Sequence, residues 1–185
     1  MFLGYFFQSY LESFMQPMVE NFRERVESGD IKLTIESIFF NNFSVAMMIY
    51  FGAIFLGLIT TIILITNGLF IGYFATSLPL DIFLIFTLPH GIFEIPGIII
   101  AGAAGFCMIS FIPYFLKDII FYKKNEWGEI ANLQNRIIIS FNKHFIKLSQ
   151  SLILFGIATI LLILAAFIEV YITINLAKFL IGDYS

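Results

Sequence analysis

The sequence predicts an all-α, polytopic membrane protein of about five membrane segments, one of them a helix interrupted by proline and glycine. Three observations carry that expectation. The 185-residue chain is 59% hydrophobic and only 12% charged, with a mean hydropathy of +0.94, which lies outside the range of a soluble globular domain. Long stretches hold no charge: none falls between Glu36 and Asp81, and only Glu169 falls between Lys147 and Lys178. About 20 apolar residues cross the ~30 Å of bilayer hydrocarbon, so these gaps hold several spans. Third, the run from Pro89 to Gly97 puts His90, Glu94, Pro89, Pro96, Gly91 and Gly97 into an apolar block with no other acidic or basic side chain between Asp81 and Lys117.

The elements follow in order within one membrane domain, residues 1–185. Residues 1–28 have helical periodicity, with Leu3, Phe6, Phe7, Tyr10, Phe14, Met18, Phe22 and Val26 on one stripe and Gln8, Glu12, Gln16 and Glu20 opposite. That pattern fits an interfacial helix, a helix packed on the bundle or a short first span. The start lacks the basic region of a signal peptide and reads as part of the mature chain. Gly29-Asp30 ends this helix, and Ile31 to Phe40 begins a second amphipathic piece. Residues 43–66 read as a clear span of roughly 36 Å, punctuated by Asn67-Gly68. Residues 68–78 are apolar but short.

Residues 82–116, roughly 52 Å if helical, are long for one span. Pro89 and Pro96 each remove a backbone donor and crowd the carbonyl four residues earlier, which predicts a break. The result is either a thin buried crossing or a re-entrant half-helix beside protein or a cavity, followed by a full span over 97–116. Residues 117–147 are the most basic region, with Lys117, Lys123, Lys124, Arg136, Lys143 and Lys147 against Asp118, Glu126 and Glu129. The positive-inside bias puts this segment in the cytoplasm. Ile130, Leu133, Ile137, Phe141 and Phe145 give it an amphipathic surface helix, and His144 reads as a solvated group within it. Residues 149–176 form the last span and leave the C-terminus outside a multi-pass cell-membrane protein.

Composition narrows the function classes. A net charge of −3 supplies no basic field for nucleic acid. The lone Cys107 forms no disulfide within the chain and no cysteine-based zinc site. Sequence fingerprints of serine hydrolases, zinc proteases, nucleotide-binding loops and dinucleotide-binding folds are absent, and neither an enzyme activity nor a cofactor is expected.

Polar groups inside the apolar blocks are the candidate site. His90 and Glu94, four apart, share a helix face. Glu169 sits late in the last span, and Asn42 and Asn67 lie near segment ends. A histidine with two carboxylates can hold a proton, a cation or a zinc-type metal, with His90 and Glu94 as the metal candidates. The same groups can instead bond each other and the carbonyls freed by Pro96, pinning an irregular helix. Small residues make a second pattern: Gly97, Ala101 and Gly105 recur every four positions, Gly102 thickens the stripe, and Gly68 and Gly72 form a GxxxG. Such spacing serves helix packing within one chain or between two copies, as in a homodimer.

The segment PHGIFEIPGIIIAGAAG, Pro89 to Gly105, resembles the signature of the stage II sporulation protein M family of integral membrane proteins. Asn42, the Asn67-Gly68 pair with Gly72, and the Ala-Ala-Phe-Ile-Glu run ending at Glu169 agree with it, so the resemblance covers roughly residues 36–175. The opening segment departs from the usual pattern in lacking a basic cytoplasmic lead. The resemblance implies a helical membrane protein of about five segments. In spore-forming bacteria such proteins act with a peptidoglycan hydrolase and a membrane-anchored protein to remodel cell wall, and relatives occur in organisms without spores, archaea included. It transfers no catalytic residue. The resulting expectation is a non-enzymatic scaffold in envelope or membrane remodelling, with the bilayer and envelope-remodelling proteins as partners. The alternative is a small transporter or channel component with an ion or substrate site around His90 and Glu94.

Overall fold

The computed structural model describes residues 2–28, 34–121, 132–173, 175–176 and 179. Every regular element among them is a helix: α1 (Phe2–Phe6), α2 (Gln8–Glu27), α3 (Ile35–Gly52), α4 (Leu58–Phe74), α5 (Leu80–Ile120) and α6 (Leu133–Ile168), which continues into a π-helical turn (Glu169–Thr173). The end of the first helix at Gly29-Asp30, and Ile31, Lys32, Lys123, Lys124, Glu126, Glu129 and Ile130, lie outside the described residues.

The all-helical class holds, but five membrane segments are not supported. Among the described residues two helices are long and apolar enough to cross a membrane, Leu80–Ile120 and Leu133–Thr173, each of 41 residues, or about 62 Å at 1.5 Å per residue. Their large side chains turn outward: Leu88, Ile92 and Ile99 on α5 and Ile153, Ile160 and Ile163 on α6 are exposed. A soluble core helix would bury such residues, whereas apolar surface of this extent is suited to lipid.

The expected break in the central helix does not occur. α5 runs without interruption through Pro89, Pro96 and Pro113. Each proline forfeits one backbone bond, but fixed φ near −65° is itself helical, and packed membrane helices tolerate the loss. Likewise, a single helix from Leu133 to Ile168 takes in what the charge pattern divides into a surface helix and a last span. Asn132 starts it, its Oδ1 accepting from the Gln134 amide at 3.1 Å, a side-chain N-cap.

The expected 43–66 span is replaced by a helical hairpin. α3 begins at the Thr34 cap, whose Oγ1 accepts from the Ser37 amide, and ends at Gly52. The chain then reverses over 53–57, where Leu56 and Gly57 take φ of 56° and 74°. That left-handed region favours glycine at Gly57. The Thr60 hydroxyl donates to the Ile49 carbonyl at 2.5 Å and ties α4 to α3. Asn67 does not end the helix: its Nδ2 donates back to the Ile63 carbonyl at 2.9 Å, and α4 continues to Phe74. Gly72 is buried and Gly68 half-buried on it.

α5 and α6 pack antiparallel. Contacts run in opposite order along the two chains: the Ser140 hydroxyl donates to the Phe115 carbonyl at 3.1 Å, the Ser151 hydroxyl to the Ala104 carbonyl at 2.8 Å, and Gly97 lies against Leu162 and the Ala158 carbonyl. α3 completes the core, in which Ala46, Ile49, Ala101, Ala158 and Leu162 are almost wholly buried. Gly97, Ala101, Gly102 and Gly105 are all covered within one chain, because each admits a neighbouring helix that a larger residue would push away. Tyr50 reaches across so that its hydroxyl lies 3.0 Å from the Ser151 Oγ.

The N-terminal stripe faces outward. Leu3, Phe6, Phe7, Tyr10 and Phe14 are exposed, while Met15 and Val19 are buried. A Cβ at Gly4 would meet the Leu69 carbonyl, so α1 lies close on α4. An outward aromatic stripe on such a helix fits the membrane interface.

Candidate functional site

His90 and Glu94 project from one face of α5 because four residues make about one helical turn. Their near atoms, His90 Nε2 and Glu94 Oε2, are 3.7 Å apart. Opposite them α6 changes pitch: its last turn is π-helical from Glu169 to Thr173. Such turns are rare and occur often at functional sites. The turn brings Glu169 to the α5 pair, so that one ligand-type atom from each of His90, Glu94 and Glu169 lies within 4.8 Å of the others. His90 also turns its Nδ1 to the Thr173 Oγ1 at 3.4 Å, and Thr173 is buried. The site thus consists of two four-residue pairs, His90/Glu94 and Glu169/Thr173, facing each other across two helices.

Among the described residues no lysine or arginine pairs with either carboxylate, and the sequence around them shows why. Apart from these groups, residues 82–116 and 148–177 contain no charged side chain. Two carboxylates in so apolar a setting are costly to ionise without a compensating positive charge. Such a site is chemically suited to holding a proton or a cation.

The remaining candidates lie apart in role. Asn42 Oδ1 accepts from Asn41 Nδ2 at 3.3 Å, and Asn67 serves its own helix as described. Pro89, Gly91, Pro96 and Gly97 sit inside α5; Gly91 is buried, but a Cβ there would meet only ordinary contacts with Thr87 and Ile95 side chains. Thr173 is the site residue that sequence reasoning missed. Its signal was its position four after Glu169, the same spacing that marked His90 and Glu94.

A second polar cluster lies at the other end of the helical pair. Asp118 Oδ2 accepts from Lys143 Nζ and lies against His144 Nε2, each at 2.9 Å. His144, expected to be solvated, is instead half-buried and packs by its ring on Tyr114. Lys147 Nζ lies over the Tyr114 ring, 4.3 Å from its centroid, a cation–π contact. The two helices are therefore fastened by polar groups near both ends.

Fold and site together define an all-helical membrane protein with an ionisable cluster shared by its two long apolar helices. The chain belongs to the stage II sporulation protein M family, whose pattern it matches over residues 1–174. It is 37% identical over 157 residues to the uncharacterized protein MJ0793 of Methanocaldococcus jannaschii, covering 82% of this chain and 78% of that protein. It is 28% identical over 165 residues to the uncharacterized protein MJ0706 of the same organism, covering 86% and 67%. No solved structure matches the chain.

Proposed function

We propose that this protein is a non-enzymatic, multi-pass membrane scaffold that serves envelope or membrane remodelling by holding a stiff helical hairpin across the bilayer. The observation that carries this reading is the length of the paired helices. Each runs 41 residues, about twice what ~30 Å of hydrocarbon needs, and polar contacts join them near both ends. α6 runs about 21 Å past Lys147 to Leu133, and this extension beyond the lipid is where envelope-remodelling proteins or a second copy of the chain can engage it.

Distances along the helices support a membrane placement. Lys117 on α5 and Lys147 on α6 mark the basic end, which the positive-inside bias assigns to the cytoplasm. Glu94 and Glu169 each lie about 33–35 Å from those lysines along their helices, and exposed Leu84, Phe86 and Leu88 continue the apolar surface of α5 past Glu94, so the His90 cluster lies inside the apolar layer toward its outer interface. Tyr171, exposed beside it, suits that interface. The α3–α4 hairpin packs its turn against Gly105 and Phe106, about midway between the two ends. Its exposed tip residues Ile54, Phe55 and Leu56 are apolar. Its turn amides are used internally, as in Gly57 N–H to the Ala53 carbonyl at 2.9 Å, so the tip can rest in hydrocarbon. The topology is two spans and a re-entrant hairpin, with the C-terminus outside.

The His90–Glu94–Glu169 cluster favours a second reading, a small ion-coupled transporter, because carboxylates within membrane helices are commonly ion sites. Glu94→Gln separates the two. A scaffold is expected to keep its helical circular dichroism and its complexes, with a melting temperature lowered by a few degrees. In a proton- or cation-coupled carrier the same variant abolishes flux in proteoliposomes that the wild-type protein supports. Wild-type flux above that of empty vesicles, lost in the variant, would overturn the scaffold reading.

A further inference from the structure

We propose that His90, Glu94 and Glu169 form a binding site for a divalent first-row transition-metal cation of the Zn²⁺ class, with Thr173 as its outer-sphere support. The scaffold reading does not require this site and stands apart from it.

Charge balance selects the valence. The nearest ionisable groups are two carboxylates and one imidazole, with no lysine or arginine in the apolar stretches that carry them. A divalent cation on two carboxylates and a neutral imidazole makes an assembly of zero net charge, the form an apolar setting penalises least. With the same neutral imidazole, a monovalent ion leaves one negative charge uncompensated.

The donor set selects the metal class. Imidazole nitrogen suits zinc, iron, nickel and copper, whereas all-oxygen sites suit magnesium and calcium. One nitrogen with two carboxylate oxygens is a three-ligand set of the kind that leaves a further position for water.

Geometry fits with small adjustment. Metal–ligand bonds of about 2.0–2.2 Å put tetrahedral ligand atoms about 3.3–3.6 Å apart. His90 Nε2 and Glu94 Oε2 are already 3.7 Å apart, and one ligand-type atom from each of the three residues lies within 4.8 Å of the others. Closing the remainder takes about 1 Å of carboxylate movement, within reach of a side-chain rotation.

The independent observation is the second nitrogen of His90. Its Nδ1 faces the buried Thr173 hydroxyl at 3.4 Å. An Nδ1–H donated to that oxygen leaves the lone pair on Nε2, the atom that faces Glu94. Histidine ligands are oriented in this way by a hydrogen bond at the nitrogen that does not bind metal. The π turn that carries both Glu169 and Thr173 supplies carboxylate ligand and hydroxyl support from a single turn of α6.

The test uses the full chain in lipid nanodiscs, stripped with a chelator and titrated with Co²⁺, whose visible absorption reports coordination. The wild type is expected to bind one Co²⁺ per chain, displaced by equimolar Zn²⁺ and not by equimolar Mg²⁺. Glu94→Gln and Glu169→Gln are each expected to weaken binding at least tenfold, and Thr173→Val about 10- to 100-fold, the usual cost of losing an outer-sphere partner. Glu12→Gln, on the exposed face of α2, is expected to bind as wild type. Absence of saturable one-to-one Co²⁺ binding by the wild type overturns the proposal without reference to any variant. So does unchanged affinity in both glutamine variants. Neither result bears on scaffold assembly, which the melting and flux measurements read separately.

Discussion

Gly105→Ala is expected to destabilise the protein although it adds a single methyl group. A Cβ at this position would lie 2.9 Å from the Tyr50 carbonyl oxygen and 3.0 Å from the Ala53 Cβ. The first is backbone at the end of α3 and cannot rotate away, so α3 and α5 must separate. Overpacking of this kind costs about 1–3 kcal/mol, more than the roughly 1 kcal/mol that alanine gains over glycine in a helix. Gly105→Leu is expected to prevent the hairpin from docking at all. Two companion substitutions make the comparison specific. At Gly102 a Cβ would meet the Leu64 Cδ1 at 2.9 Å, the far end of a flexible side chain, so Gly102→Ala is expected to cost less. At Gly156 a Cβ meets nothing within 4 Å, and Gly156→Ala is expected to raise stability by up to about 1 kcal/mol. Thermal melts in detergent check the order; equal effects at Gly105 and Gly156 would contradict the packing described.

Leu162→Ala is expected to have the largest effect among core truncations. Leu162 has no exposed surface and fills the junction of α3, α5 and α6 with Ile49, Ala101 and Ala158. Its methyl groups also cover Gly97 at 3.2 Å from where a Cβ would stand. Ala101, Ala158 and Gly97 beside it have little side chain to move into the space. Leucine-to-alanine changes in cores cost about 2–5 kcal/mol. Within a membrane the transfer contribution shrinks, since lipid is as apolar as leucine, and what remains is lost contact. The expected cost is therefore at the lower end of that range. Leu164→Ala, on the exposed face of the same helix, is expected to be close to neutral, as lipid replaces what the side chain gives up. Reversible unfolding in mixed micelles measures both.

The helical class and the membrane character were legible in the chain because charge-free stretches and apolar content report them directly. Their division into segments was not. Pro89 and Pro96 look like breaks when read locally, yet α6 and its π turn pack along α5 and hold it helical through both. The reversal at 53–57 is built from Ala-Ile-Phe-Leu-Gly, with no polar turn residue to announce it, and only Gly57 hints at the left-handed backbone there. Asn67 reads as punctuation but spends its amide on its own helix. His90 and Glu94 were legible by their spacing on one helix. Their meeting with Glu169 and Thr173 depends on the register of two helices that are distant in sequence, and no local pattern encodes that. The same holds for Asp118 and His144, which are brought together only by the antiparallel pairing.

The central claim is that α5 and the π turn of α6 meet at one polar site. The most direct measurement is cross-linking of His90→Cys to Thr173→Cys in a Cys107→Ser background by a short thiol-reactive bifunctional reagent, read by peptide mass mapping in native membranes. Side-chain atoms 3.4 Å apart predict a rapid cross-link within the chain, while pairing Thr173→Cys with Lys117→Cys at the basic end yields none. Failure of the 90–173 pair to form, or equal yield from the 117–173 pair, would contradict the account.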